Sequence, residues 1–217
     1  MTNRPVTAVV QKLLRALLPR ACPGCGESLG HSAGLCAGCA ASLTVRVESH
    51  SMLSNTVRPH LVVLGQHKGL LRRAARELKY SGHRDLAGVL GQALARGVPP
   101  GWGIQAVSAV PMHPERQRQR HFNHAEMLGR ALADALELPY LEALARRRHT
   151  AQQARKSGSE RSGNLEGAFV PLPEALELGG PLLLVDDVMT TGATLIACRD
   201  ALADHGMEQV YYAVLTR

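Results

Sequence analysis

The chain has 217 residues, 45% hydrophobic and 20% charged, enough for one packed domain with a small appendage and little more. No apolar stretch approaches the roughly 18 to 20 residues that a spanning helix needs. A net charge of +7 favours polyanionic partners, while an aromatic content of 3% argues against an extended base-stacking platform.

In chain order, Val6 to Leu18 carries Lys12 and Arg15 inside an apolar pattern, so it reads as an amphipathic helix and not as a secretory signal. A cytoplasmic location is therefore expected. Four of the five cysteines follow, as Cys22-Pro-Gly-Cys25 and Cys36-Ala-Gly-Cys39. Each Cys-x-x-Cys turn aims two thiolates at one tetrahedral ion, so the four are expected to hold a closed, structural Zn²⁺. Four protein ligands leave no position for a catalytic water. Disulfides are the competing reading, and nothing in the sequence indicates the oxidising compartment they require. Cys198 falls within a helical pattern and reads as a small core residue.

A polar linker to about residue 58 separates this element from a strand at Leu61–Gly65. From Gly69 to Lys79 the residues Leu71, Ala74, Ala75 and Leu78 recur at helical spacing, and Lys68, Arg72, Arg76 and Lys79 form a basic stripe. Tyr80-Ser81-Gly82 is expected to end that helix, and a second runs from about Arg84 to Arg96. The order then alternates: strand 105–110, loop 111–120, helix 121–137, strand 140–145, loop 147–164, strand 168–170, strand 182–185, helix 193–204 and strand 208–214. Strands separated by helices predict an α/β fold with a mainly parallel sheet covered on both faces.

The run Pro181 to Thr194 is the most informative. A buried strand ends at Asp186 and Asp187, and Val188-Met189-Thr190-Thr191-Gly192-Ala193-Thr194 leads into a helix. Ligands of open α/β sheets bind outside the carboxyl ends of strands. Backbone N–H groups and Thr hydroxyls there suit a phosphate, and Gly192 allows close backbone approach. The two acids match the paired hydroxyls of a ribose, or a Mg²⁺. Pro111, Met112, Arg116, Arg118 and Arg120 follow another strand on the same sheet edge. There the Arg residues read either as donors around a pyrophosphate or as a solvated basic loop. Arg146-Arg147-Arg148, continuing through Gln153, Arg161 and Asn164, reads as a long basic loop.

The Asp186–Thr194 segment resembles the phosphoribosyl-pyrophosphate (PRPP) loop of type I phosphoribosyltransferases. The chain as a whole resembles ComF-type competence proteins of the ComFC branch. That resemblance rests on Cys22 to Cys39, Leu78-Lys79-Tyr80-Ser81-Gly82, Val110-Pro111 to Asn123, Gln153, Arg161, Asn164-Leu-Glu-Gly-Ala-Phe169 and the Asp186 loop. It implies a zinc-ribbon-like element with its preceding helix and linker over 1–58, and a phosphoribosyltransferase-like domain over 59–217. It implies Asp186 and Asp187 on ribose hydroxyls, Thr190 to Thr194 around the 5-phosphate, and Mg²⁺ with PRPP. It further implies a role in natural transformation and DNA uptake, with single-stranded DNA and a helicase-like protein as partners. Where the family usually has Arg-Gly-Phe-Asn-Gln, this chain has Arg120-His121-Phe122-Asn123-His124, which alters the backbone freedom of that loop.

Two functions follow as expectations. One is a PRPP-binding protein or active phosphoribosyltransferase with Asp186 and Asp187 as its catalytic residues, although no acceptor site is recognisable. The other is a single-stranded DNA-binding adaptor using Lys68, Arg72, Arg76, Lys79, Arg146, Arg147 and Arg148, with Tyr80 and Phe122 available for stacking. Solvated helix faces and ordinary packing are the alternatives for those residues. His113, His121 and His124 read as loop residues.

Overall fold

The computed structural model describes residues 20–29, 32–54, 58–81, 83–120, 122–147, 165 and 167–217. The expected helix 6–18, His121, Arg148, Gln153, Arg161 and Asn164 lie outside the described residues, as do the side chains of Arg116 and Arg120.

The first element is a short helix α1 (Ala37–Ala41), whose N-cap Cys36 accepts from the Cys39 N–H through its sulfur. A five-stranded sheet follows, built from β1 (Arg46–Glu48), β2 (Leu61–Gly65), β3 (Ala106–Ala109), β6 (Leu182–Val188) and β7 (Val210–Thr216). Its order is β1-β2-β7-β6-β3, with β1 antiparallel and the other pairings parallel. The mainly parallel sheet is thus as expected from alternating strands and helices. β1 lies ahead of residue 58 in a stretch that reads as linker. Three residues with alternating polarity are too short a signal to reveal a strand whose formation depends on pairing with β2.

Helices α2 (Gly69–Ser81), α3 (Arg84–Ala95) and α5 (His124–Leu136) cover one face of the sheet. Ala74, Leu78, Leu86, Leu90, Leu94, Leu128 and Leu132 pack there against Val62, Leu64, Val107, Leu183 and Val185. Helix α7 (Ala193–Ala203), a short helix α6 (Pro173–Leu176) and a small antiparallel pair, β4 (Leu144–Arg146) with β5 (Phe169–Pro171), cover the other. Both faces are therefore dry, which is why β2 is buried along its whole length. At Gly91 a Cβ would lie 2.8 Å from the Ala131 carbonyl carbon, so glycine permits the close approach of α3 and α5.

Three boundaries differ from expectation for identifiable reasons. The segment 111–120 is not all loop, because Pro114–Arg120 forms a helix, α4. Proline suits the first helical position, and Arg, Gln and Glu are good helix formers. The His113 Nδ1 accepts from the Glu115 N–H at 3.3 Å. Helix α2 runs through Tyr80 to Ser81 instead of ending before them. Strand β6 continues past Val185, because β7 still runs beside it, pairing Asp186 with Val214 and Val188 with Thr216.

The cysteine element does not stand apart from this fold. Cys22, Leu29 and Leu35 belong to the same core as α2 and α3. Arg73 of α2 donates from Nε to the Gly24 carbonyl at 2.9 Å and also reaches it through Nη2. Gly34, at φ +72°, lies so close to α3 that a Cβ would meet the Asp85 carbonyl oxygen at 2.6 Å. Arg20 pairs with Asp85 at 3.3 Å.

Candidate functional site

The four thiols converge. Sγ atoms of Cys22, Cys25, Cys36 and Cys39 all lie within 4.8 Å of one another, and those of Cys25 and Cys36 are 3.6 Å apart. A tetrahedral Zn²⁺ with sulfur at about 2.3 Å sets its ligands about 3.8 Å apart, so the geometry fits that ion. Backbone N–H groups of Gly24 and Cys36 reach the Cys22 sulfur at 3.4 and 3.3 Å. Burial pushes the Cys22 thiol up, but donors from Cys36, Cys25 and Gly24 outweigh it and bring its pKa to about 6. Burial and the neighbouring sulfurs hold the Cys39 thiol above its ordinary value. A cation at the centre relieves that crowding. The site is a structural zinc centre, with its thiolates prepared by the backbone.

At the carboxyl edge of the sheet, β6 ends in the acid pair and the chain turns through Met189 to Gly192 into α7. Thr190 and Thr191 are exposed, Thr194 is half-buried, and Met189 is buried beneath them. Gly192 caps α7 at φ 78°, the left-handed conformation that glycine adopts without strain. Gly192 has no side chain to cap this helix, and the Ala193 N–H donates to Thr191 Oγ1 in a long contact of 3.4 Å. The turn rests on Leu53, which is fully buried and 3.8 Å from a Cβ position at Gly192. Arg199 of α7 fixes that support by donating to the carbonyls of Met52 and Leu53 at 2.9 and 3.0 Å. Neither Leu53 nor Arg199 carries a motif, and only the fold brings them to the turn.

Asp186 and Asp187 are successive residues near the end of β6, and their carboxyls lie close enough to interact with each other. Asp186 is also within electrostatic range of Lys79 and of Cys198, which Arg146 also influences. Asp187 turns toward α2 and α5, where its Oδ2 lies 3.2 Å from His124 Nε2 and 3.7 Å from Lys79 Nζ. Asp187 and His124 are each 8% exposed, and Lys79 is 34% exposed. Neither Asp187 Oδ2 nor His124 Nδ1 has an aligned hydrogen-bond partner. His124 joins the site through α5, whose N-cap Asn123 accepts from Ala125 N–H and donates to the Val110 carbonyl at the end of β3. Lys79, which reads as part of a nucleic-acid stripe, instead pairs with the acid turn.

The environments separate the two acids. Burial, and then the charge of Asp187, push the Asp186 carboxyl up to about 8. Burial also opposes ionisation of Asp187, but His124 first and then Lys79 outweigh it and lower its pKa to about 2. Raised above 3.8, the Asp186 carboxyl makes the folded chain bind more protons than the unfolded one between pH 3.8 and about 8, so its contribution to stability falls as pH rises through that window. Asp186→Asn lacks this term. Melting temperatures at about pH 5 and about pH 8.5 should show the variant gaining on the parent at the higher pH. An unchanged difference would mean that the carboxyl titrates normally.

A Mg²⁺ held jointly by these acids needs free, hard oxygen ligands on one side of the strand. Asp187 Oδ2 lies 3.2 Å from His124 Nε2 and 3.7 Å from Lys79 Nζ, so a cation on that oxygen would be set against the Lys79 ammonium group, and the pair does not fit that role.

Pro111 and Met112 follow β3 at the same edge and are half-buried. Arg118 and Arg147 are exposed. Arg146 lies over the Phe169 ring at 5.3 Å. Lys68, Arg72, Arg76 and Tyr80 are exposed, whereas Phe122 is half-buried at a groove of about 840 Å³ between α3 and α5. That groove holds neither Asp186 nor Asp187 and lies away from the strand edge, so the site is assigned from the strand-edge chemistry.

Comparison with known proteins agrees with both parts of this description. The double zinc ribbon domain family matches residues 13–51, and the phosphoribosyl transferase domain family matches residues 123–217. DNA utilization protein YhgH of Escherichia coli is 28% identical over 204 residues, covering 90% of this chain and 83% of that protein. Competence protein F of Haemophilus influenzae is 34% identical over 115 residues, 52% of this chain and 50% of that protein. Competence protein ComFC of Streptococcus pneumoniae is 32% identical over 108 residues, 50% of this chain and 46% of that protein. The matched stretch thus spans about half the length of the two competence proteins. With the zinc centre ahead of the transferase-like sheet, the chain carries both of the matched domains and is similar to the competence proteins F and ComFC.

Proposed function

We propose that the β6–α7 junction binds a sugar phosphate of the PRPP type, and that the protein serves DNA handling in natural transformation. The reading is carried by one observation. A strand carrying two acids at its end runs into an exposed Thr-rich turn whose glycine adopts a left-handed conformation at the start of a helix. Such a turn offers N–H groups and hydroxyls to a phosphate. Thr190, Thr191, Ala193 and Thr194 would hold the 5-phosphate, and Asp186 and Asp187 would contact the sugar hydroxyls. The names of the similar competence and DNA utilization proteins support the biological role. Turnover would require an acceptor, for which this fold presents no distinctive site.

Titration calorimetry with PRPP tests the ligand. A saturable heat that is lost in Gly192→Val, a substitution that strains the left-handed turn, is the expected result, and a parent protein that gives no heat would overturn the assignment.

Single-stranded DNA is the second ligand of this reading, favoured by the exposed Arg72, Arg76 and Tyr80 on one helix and Lys68 just ahead of it. Oligonucleotide affinity should fall steeply with salt, and less steeply once Arg72 and Arg76 are replaced by alanine. A flat salt response in the parent removes DNA from the proposal.

A further inference from the structure

The pairing of Asp187 has a consequence for the ligand's charge. Its Oδ2 is enclosed between His124 Nε2 at 3.2 Å and Lys79 Nζ at 3.7 Å, with the acid and the imidazole more than nine-tenths buried. A carboxylate held this way already faces an ammonium group of its own protein. A divalent cation on the same oxygen would be pressed against an ammonium group, and unlike water, that group cannot leave without exposing a buried acid.

Lys79 differs from its two partners in being 34% exposed at the end of α2. An ammonium carries three donors, and one direction is taken by Asp187. The remainder can face an anion at the strand edge. α2 is itself braced, because Arg73 ties it to the Gly24 carbonyl in the first zinc turn. Lys79 is thus a fixed positive charge set beside the acid turn, on a helix that cannot easily withdraw it.

Resting on the sugar-phosphate reading above, we infer that Lys79 stands in for a divalent cation, so that the site takes an anionic pentose phosphate without Mg²⁺. Lys79 is then the residue that selects the metal-free form of the ligand. His124 holds Asp187 so that the lysine keeps a counter-charge when the pocket is empty.

The test is calorimetry on the full chain, with ribose 5-phosphate and PRPP as probes, in EDTA and in excess Mg²⁺. The parent should bind PRPP in EDTA within about threefold of its affinity in Mg²⁺. Lys79→Gln should lose about tenfold or more in EDTA and recover part of that in Mg²⁺, while Lys79→Arg, which keeps the charge, should stay near the parent. A thermal melt of each variant separates lost binding from lost folding. Binding that requires Mg²⁺ in the parent would overturn the inference and leave the ligand assignment standing. So would a Lys79→Gln protein that binds in EDTA as tightly as the parent. If neither probe binds under either condition, the ligand assignment itself fails and this inference goes with it.

Discussion

Cys22→Ser should release the zinc and unfold far more than the element that holds it. Cys22 is 2% exposed and sits in one core with Leu29, Leu35, Leu78, Leu86 and Leu90. Its sulfur also anchors the backbone of Gly24 and Cys36. Structural zinc contributes about 10–16 kcal/mol to small sites at neutral pH, comparable to the about 5–15 kcal/mol that holds a whole domain together. Even partial loss therefore removes a large share of the stability. The melting temperature should fall by more than about 10 °C, and a strong chelator should reproduce the fall in the parent. Zinc content measured by a colorimetric assay should drop from one ion per chain toward zero. Because Arg73 and Gly34 tie the zinc turns to α2 and α3, both helices should lose protection from hydrogen exchange as the metal leaves. If only residues 20–45 lost protection, the ribbon would be a separate folding unit and the shared core would be of no consequence.

That coupling was not legible in the cysteine spacing. Two Cys-x-x-Cys turns reveal a metal, because ligand spacing is local chemistry, but the surface they pack against is set by contacts fifty residues away. The same distinction runs through the site. The strand, turn and helix of 182–203 could be read directly, since hydrophobic periodicity and Gly192 are local signals. The end of β6 could not, because β7 decides how far pairing extends. His124 is uninformative in sequence, one of ten histidines beside a loop. It becomes part of the site only when Asn123 caps α5 and binds the end of β3. Lys79 was visible as a member of a basic stripe, yet helical spacing alone cannot tell a solvated lysine from one that turns at the last helical turn to meet a buried acid. Leu53 and Arg199 had no signal at all, since they support the phosphate turn purely by packing and by donation to backbone carbonyls.

Asp187→Ala should be the most damaging single change at the sheet edge. Removing one partner of a buried pair leaves the other without a counter-charge and typically costs about 3–5 kcal/mol. Here it strands His124, whose Nδ1 already lacks an aligned partner, and it frees Lys79. The partial exposure of Lys79 lets water take up some of that cost, so the low end of the range is expected. Asp187→Asn keeps the shape and should cost less. The double variant Asp187→Asn/His124→Gln should recover part of the loss, since neither group then carries charge, and the cycle should give a coupling of about 0.5–3 kcal/mol. Zero coupling would mean that the 3.2 Å approach carries no energy. The pH profile gives an independent check. Since Asp187 is depressed to about 2, its stabilisation is complete above 3.8 and is lost as pH falls from there through about 2. The stability gap between parent and Asp187→Asn should therefore stay constant with respect to this group above 3.8 and close in acid. Were the gap to stay unchanged down to about pH 2, His124 and Lys79 would not be holding Asp187 below its ordinary range.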